Sequence, residues 1–113
     1  MTLKLNTGKT VPCDKIINVE ITPVDFYETL SFAREDSRNG HCDYGRHYLH
    51  ALTLAIGLEN PPIFEVFIEY YIDGKHESVF DICHEQVCIE EYLENHVYDR
   101  VNGVIYIETE YEI

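Results

Sequence analysis

Hydrophobic and polar residues alternate along several stretches of the chain, with the period of two that is typical of half-buried β-strands. One of the two longest stretches begins at Ile63 and ends at Ile72, with alternate apolar residues on one face and Glu65 and Glu69 on the other. Asp73-Gly74 follows, and this dipeptide is typical of tight hairpins. Residues 75–82 are therefore predicted to return as an antiparallel strand.

The last ten residues, 104–113, show the same alternation after Asn102-Gly103, which predicts a second hairpin with residues 97–101. The face predicted to be buried carries Ile105, Ile107 and Tyr111, and the face predicted to be exposed carries Tyr106, Glu108, Glu110 and Glu112. Alternate residues of a strand lie about 6.7 Å apart. This spacing is similar to that of successive phosphates along a nucleic-acid strand, so the segment is predicted to present a ladder of carboxylates.

Three other segments repeat their apolar residues with the helical period. The first helix is predicted to begin at Thr22-Pro23, because threonine can cap a helix and proline suits its first position, and to end near Asp36. The second is predicted over Tyr44 to Ile56, and the third over about Glu85 to Asn95. The third is amphipathic, and its polar side carries Glu90, Glu91 and Glu94.

Two further strands are predicted near the N-terminus, over Thr2 to Leu5 and Lys15 to Ile21. The predicted order is therefore β-β-α-α-β-β-α-β-β, with hairpins in place of crossover units. This order is typical of an α+β fold, here a mainly antiparallel sheet with about three helices packed on one face. The 113 residues are expected to form a single compact domain, 1–113.

The charge is distributed unevenly along the chain. Residues 58–113 contain fourteen acidic and two basic residues, a balance of −12, whereas the formal net charge of the whole chain is −13. Like charges repel, so direct binding to nucleic acid or to an anionic membrane is not expected. A basic protein is the natural partner, although acidity that only maintains solubility is the simpler alternative.

The sequence shows no secretory signal pattern, and its apolar runs are far shorter than a membrane span. Its four cysteines could form two disulfides in an oxidising compartment. Without a signal pattern, reduced thiols and a cytoplasmic location are the expectation.

Carboxylates and tyrosines are interleaved on the predicted exposed faces, and together they form a candidate partner-binding surface. Its residues are Glu65, Glu69, Tyr71, Glu90, Glu91, Glu94, Tyr106, Glu108, Glu110 and Glu112. Arginine and lysine of a nucleic-acid-binding protein can pair with such carboxylates much as they pair with phosphates. The alternative is an ordinary solvated sheet face, on which glutamates discourage edge-to-edge pairing.

Histidine and cysteine residues suggest a metal site as another hypothesis. His47 and His50 are three residues apart on one predicted helix, and His84 and Cys88 are four apart near another. Further potential ligands are His41, Cys42 and Cys83. Structural zinc sites usually contain CxxC-type pairs, and buried thiols and core histidines explain these residues more simply. We therefore predict no metal and no cofactor.

No catalytic motif fixes the geometry of these histidines, cysteines and acids. The sequence contains no GxSxG, no phosphate-binding loop and no dinucleotide fingerprint. The protein is predicted not to be an enzyme, and a small metal-binding or catalytic domain remains the alternative from another class.

In its size, its charge and the acidic strand of residues 104–113, the chain resembles the DNA-mimic proteins. These small inhibitors occupy the DNA site of a nuclease, a repair enzyme, a histone-like protein or a CRISPR effector. The resemblance implies a non-enzymatic protein that occludes the nucleic-acid-binding surface of a basic partner. Immunity proteins that neutralise a nuclease toxin are the close alternative, and the oligomeric state is left open.

Overall fold

The computed structural model describes residues 1–40 and 44–98. Its strands are β1 (Thr2–Lys4), β2 (Thr10–Pro12), β3 (Lys15–Pro23), β4 (Phe64–Ile72), β5 (Lys75–Cys83) and β6 (Val97–Tyr98). Its helices are α1 (Phe26–Arg38), α2 (Gly45–Leu54) and α3 (Ile89–His96). The predicted α+β class and its antiparallel pairing are confirmed. The predicted strand 104–113 lies outside the described residues.

Strand β4 is the centre of the main sheet, whose order is β3-β4-β5 with both pairs antiparallel. The predicted hairpin is confirmed, since Ile72 pairs with Lys75 across the turn. Asp73 and Gly74 have φ angles of 51° and 75°. Positive φ at both central residues is what a type I′ hairpin turn requires, and the Asp-Gly pair tolerates it.

A second, smaller sheet has the order β2-β1-β6, and both of its pairs are antiparallel. Strand β2 comes from the turn-rich stretch that separates the first two predicted strands. Strand β6 begins where predicted and pairs with β1, with Val97 opposite Leu3.

Two hydrophobic clusters lie on opposite faces of the main sheet. On one face, Val66 and Ile68 of β4 pack with the small sheet and with Tyr92 and Leu93 of α3. On the other, Ile82 of β5 packs with α1 and α2. The helices therefore cover both faces, whereas the sequence placed them on one. The reason is that β5 ends with apolar residues on each face, Val79 and Cys83 on one and Phe80 and Ile82 on the other, so both faces need cover.

Helix α1 begins at Phe26, so the prediction that Thr22-Pro23 begins it is wrong. Strand β3 continues through Pro23, which pairs with Phe64. Asp25 caps the helix, since its carboxylate accepts a 2.9 Å hydrogen bond from the backbone N–H of Glu28. Helix α3 also begins later than predicted. Within residues 1–40 and 44–98, no helix has both the length and the apolar character that crossing a membrane requires.

Candidate functional site: the surface around the third helix

The predicted site residues of β4 are engaged inside the fold. Glu65 is half-buried and accepts a 2.8 Å hydrogen bond from the phenol of Tyr48 on α2. Burial raises the pKa of Glu65, although the Tyr48 hydrogen bond opposes the shift. Burial and the neighbouring Glu65 also raise the pKa of Tyr48. Glu65 therefore serves to hold α2 on the sheet and is poorly placed for a partner.

Glu69 and Tyr71 lie further along the same face of β4. A carboxylate oxygen of Glu69 lies 2.9 Å from Nε2 of His76, and the other accepts a 3.3 Å hydrogen bond from the amide of Asn18. The Tyr71 ring meets the His76 ring edge-on, at 5.7 Å between centroids. Glu69 is therefore only partly available to a partner, whereas Tyr71 is exposed.

The three glutamates of α3 are exposed and lie on the opposite side of the main sheet. Glu90 and Glu91 are in the first helical turn, where the positive end of the helix dipole favours a carboxylate, and Glu94 is one turn further on. The structure therefore does not combine them with Glu65 and Glu69 in one surface. The remaining predicted residues, Tyr106, Glu108, Glu110 and Glu112, lie outside the described residues.

A buried carboxylate that the sequence analysis did not single out lies beneath α3. Asp81 of β5 is fully buried and accepts hydrogen bonds from the backbone N–H groups of Asn6 and Thr7, at 3.0 and 3.2 Å. The phenol of Tyr92 donates a third, at 2.5 Å. The signal in the sequence is the run from Val79 to Cys83, in which an acid interrupts residues that are otherwise apolar.

Asn6 and His96 extend this hydrogen-bond network to the surface. The Asn6 amide nitrogen donates to the Ile82 carbonyl at 2.9 Å, which leaves its oxygen facing Nε2 of His96, also at 2.9 Å. The other ring nitrogen of His96 lies 2.8 Å from the Tyr92 carbonyl. The His96 ring stacks on Tyr92, with 4.2 Å between centroids and 9° between planes. These contacts fix the positions of the β1–β2 turn and the end of α3.

An open cleft of about 480 Å³ lies beside α3. Its lining includes Asn6, Cys83, His84, Glu85, Asn95 and His96. Burial and then the charge of Asp81 raise the pKa of Cys83 to about 11, and the same two causes raise the pKa of Tyr92 at the back of the cleft. Burial is the larger cause of both shifts, and the second cause, the charge of the nearby Asp81 carboxylate, would favour a positively charged ligand in the cleft.

The candidate metal ligands that the structure describes do not form a metal site. Within residues 1–40 and 44–98, no three His, Cys, Asp or Glu side chains form a group that could hold a metal ion. Nδ1 of His84 lies 3.1 Å from the Asn60 carbonyl, and the Cys88 sulfur accepts a hydrogen bond from the Glu91 N–H as the cap of α3. His47 and His50 are exposed on α2, and His41 and Cys42 lie outside the described residues.

The buried cysteines are also poorly suited to nucleophilic catalysis. Burial raises the pKa of Cys13 as it does that of Cys83, so both remain thiols at neutral pH. A thiolate is the reactive form, and neither residue is accessible to a substrate.

No protein-family model, curated protein or solved structure matches the chain significantly. Among the described residues, the exposed glutamates of α3 and the cleft beside them are the features on which we base a functional proposal.

Proposed function

We propose that this protein is a non-enzymatic binding protein whose acidic surface engages the basic nucleic-acid-binding surface of another protein, as a DNA mimic does. The observation that supports this most directly is the charge of residues 58–98, which contain ten acids and one base, a balance of 1 − 10 = −9. Seven of these acids are exposed: Glu59, Asp73, Glu77, Glu85, Glu90, Glu91 and Glu94. Four of the seven belong to α3 or to the segment that leads into it.

The α3 surface, which we define as Glu85, Glu90, Glu91 and Glu94, is the part of the described chain best suited to this role. Glu90 and Glu94 are separated by about 6 Å along the helix axis. This separation is close to the spacing predicted for the C-terminal glutamates. Ile89 precedes Glu90 at the start of the helix and is 39% exposed, so an apolar contact is available near the charges. Arginine side chains of a partner could pair bidentately with these carboxylates.

The mechanism is competitive occlusion of the partner's DNA site. Complementary charge accelerates the encounter of the two proteins, and added salt screens it. The described cysteines, Cys13, Cys83 and Cys88, are free thiols, which fits action in the reducing cytoplasm.

The test is a competition experiment. A labelled DNA duplex is bound to a basic protein, in turn a histone-like protein, a nuclease, a repair enzyme and a CRISPR effector, and its release on addition of this protein is followed by fluorescence anisotropy. The duplex should be released by at least one of these partners. The affinity of this protein for that partner, measured without DNA, should fall as salt is added.

Two matched variants test the surface. Glu90→Gln/Glu91→Gln/Glu94→Gln removes three charges from α3 and should weaken binding by about 1–3 kcal/mol where one or two pairs are desolvated. Glu20→Gln/Glu28→Gln/Glu35→Gln removes three exposed charges from the nearly neutral half and should change binding little. Equal losses in the two variants, or a partner that holds DNA and this protein together, would overturn the proposal.

A further inference from the structure

We infer that the cleft beside α3 binds a guanidinium group, the side chain of an arginine on the basic partner. The inference rests on the proposed function and deepens it, because it names one residue of the partner and its place of binding. Four observations carry it: the acceptors at the cleft, the buried charge beneath it, the absence of Lys and Arg from the part of its lining that the structure describes, and its rigid walls.

Hydrogen-bond acceptors are available from two neighbouring residues of the lining. Glu85 is exposed and supplies a carboxylate. His84 directs Nδ1 at the Asn60 carbonyl, 3.1 Å away, so in the neutral ring Nδ1 carries the proton and Nε2 is left as an acceptor. A guanidinium has five N–H donors in one plane and no acceptor. It can therefore pair with both residues, whereas an ammonium group acts more as a point charge.

The buried carboxylate beneath the cleft adds to this preference. Tyr92 lies between Asp81 and the cleft, and its phenol donates to the Asp81 carboxylate. All three of the Asp81 partners described above are N–H or O–H donors, the pattern that suits an ionised carboxylate. A positive ligand in the cleft would be attracted by this charge through partly desolvated surroundings, where screening by salt is weak.

The lining formed by residues 1–40 and 44–98 does not supply a competing lysine or arginine. The described lining consists of two asparagines, two histidines, one cysteine, one valine, one tyrosine and one glutamate. His96 directs both ring nitrogens at acceptors of the protein, the Tyr92 carbonyl and the Asn6 side chain. Among the described lining residues, Glu85 supplies the carboxylate that attracts a cation.

The cleft is formed before any ligand binds. The side chains of Asn6, Tyr92 and His96 are each held by hydrogen bonds within the protein. A cleft of about 480 Å³ has room for a guanidinium and for part of its methylene stem, which half-buried Val87 can contact. Because little needs to be ordered on binding, even a single side chain can be bound with a measurable affinity.

The experiment is a titration of the ¹⁵N-labelled full chain, followed by two-dimensional NMR, with the capped tripeptide Ala-Arg-Ala as the probe. The same tripeptide with lysine tests the shape of the donor, and the one with citrulline tests the charge, since citrulline is nearly isosteric with arginine and neutral. We expect saturable shifts at His84, Glu85, Asn95 and His96 with the arginine peptide. Smaller shifts are expected with lysine and none with citrulline.

Two variants show whether the binding is local. Glu85→Gln should weaken binding of the arginine peptide by roughly three- to fivefold, as expected for loss of a partly exposed charge pair. Glu59→Gln removes an exposed charge from outside the cleft and should leave the affinity unchanged. Equal shifts with arginine and citrulline, shifts confined to Glu90, Glu91 and Glu94, or no shifts at all would overturn the inference.

The outcome is separable from that of the proposed function. If DNA release depends on the triple variant of α3 while the arginine peptide does not bind the cleft, the acidic surface stands and the cleft site is overturned. If the peptide binds the cleft while no basic protein is displaced from DNA, the cleft site stands as an arginine site and the DNA-mimic function fails.

Discussion

Tyr92 donates a 2.5 Å hydrogen bond to Asp81, and this bond joins the helix that carries the acidic surface to the centre of the fold. Both side chains are buried, with 1% of Tyr92 and none of Asp81 exposed. The same carboxylate holds the turn at Asn6 and Thr7. The position of α3, and with it the geometry of the cleft, therefore depends on a polar contact inside the core.

Tyr92→Phe removes the hydroxyl and leaves Asp81 with its two backbone donors. We expect the free energy of unfolding to fall by about 1–3 kcal/mol, the cost of leaving a buried acceptor short of a partner. Urea denaturation followed by circular dichroism measures the change. Tyr27→Phe is the matched control, because Tyr27 is 65% exposed and should tolerate the substitution. Equal stability of the two variants would contradict a structural role for the bond.

Asp81→Asn should destabilise the protein too, because an amide presents an N–H to at least one of the three donors that face this position. The combination with Tyr92→Phe should cost less than the sum of the single losses, since both remove the same bond. A double-mutant cycle from urea denaturation measures this coupling. Additive losses would show that the two side chains contribute independently.

Glu65→Gln should change how stability depends on pH. Burial raises the pKa of Glu65 in the folded protein above its ordinary value of 4.5. At pH values between the ordinary pKa and the raised pKa, Glu65 is protonated in the folded protein and ionised in the unfolded chain. The contribution of Glu65 to the free energy of unfolding is therefore full below the ordinary pKa and is lost as pH rises through the folded pKa. Glutamine still accepts the Tyr48 hydrogen bond and does not titrate.

The free energy of unfolding of the Glu65→Gln variant, relative to the parent, should therefore increase from about pH 4 to about pH 7. Urea titrations at a series of pH values supply the comparison. A constant difference across this range would show that burial does not disfavour the charged carboxylate.

Thiol alkylation should distinguish the described cysteines. Cys88 is exposed, whereas Cys13 and Cys83 are buried and the Cys83 pKa is raised to about 11. Iodoacetamide at neutral pH should modify Cys88 first, because the reagent needs an accessible thiolate. Peptide mass spectrometry of timed samples measures the order. In denaturant the three residues should react at similar rates, and faster labelling of Cys83 in the folded protein would contradict its burial.

The C-terminal glutamates remain a prediction of the sequence. Glu108→Gln/Glu110→Gln/Glu112→Gln removes three charges and should leave the fold intact while weakening binding to the basic partner. The DNA-release experiment described above measures the effect beside that of the α3 triple variant. If the C-terminal variant binds as tightly as the parent at physiological salt, the carboxylate ladder has no part in the function.

The fold was predictable from the sequence where the alternation of apolar and polar residues along a strand determines which of its faces is buried. In β4 the alternation fixes which residues are buried, and Asp73-Gly74 fixes the turn and hence the register with β5. The start of α1 was not predictable from the sequence, because Thr22-Pro23 and Asp25 are both reasonable signals for the beginning of a helix. The choice between them depends on the pairing of Pro23 with Phe64, a residue forty-one positions away.

The candidate site was predictable only in part. The glutamates of α3 lie on an exposed helix face, as its amphipathic pattern indicates. The separation of these residues from Glu65 and Glu69 was not predictable, since it follows from the placement of helices on both faces of the main sheet.

The sequence by itself determined most of the described strands and helices, though not all of their ends, and the concentration of negative charge in the second half, because periodicity and composition are local properties. Only the tertiary structure decided which carboxylates a partner can reach. Glu65 and Asp81 are both on strands whose two faces are covered, so they bind Tyr48 and Tyr92 in the interior. The physical reason is that burial of a carboxylate depends on what packs above it, and that is set by residues distant in the chain.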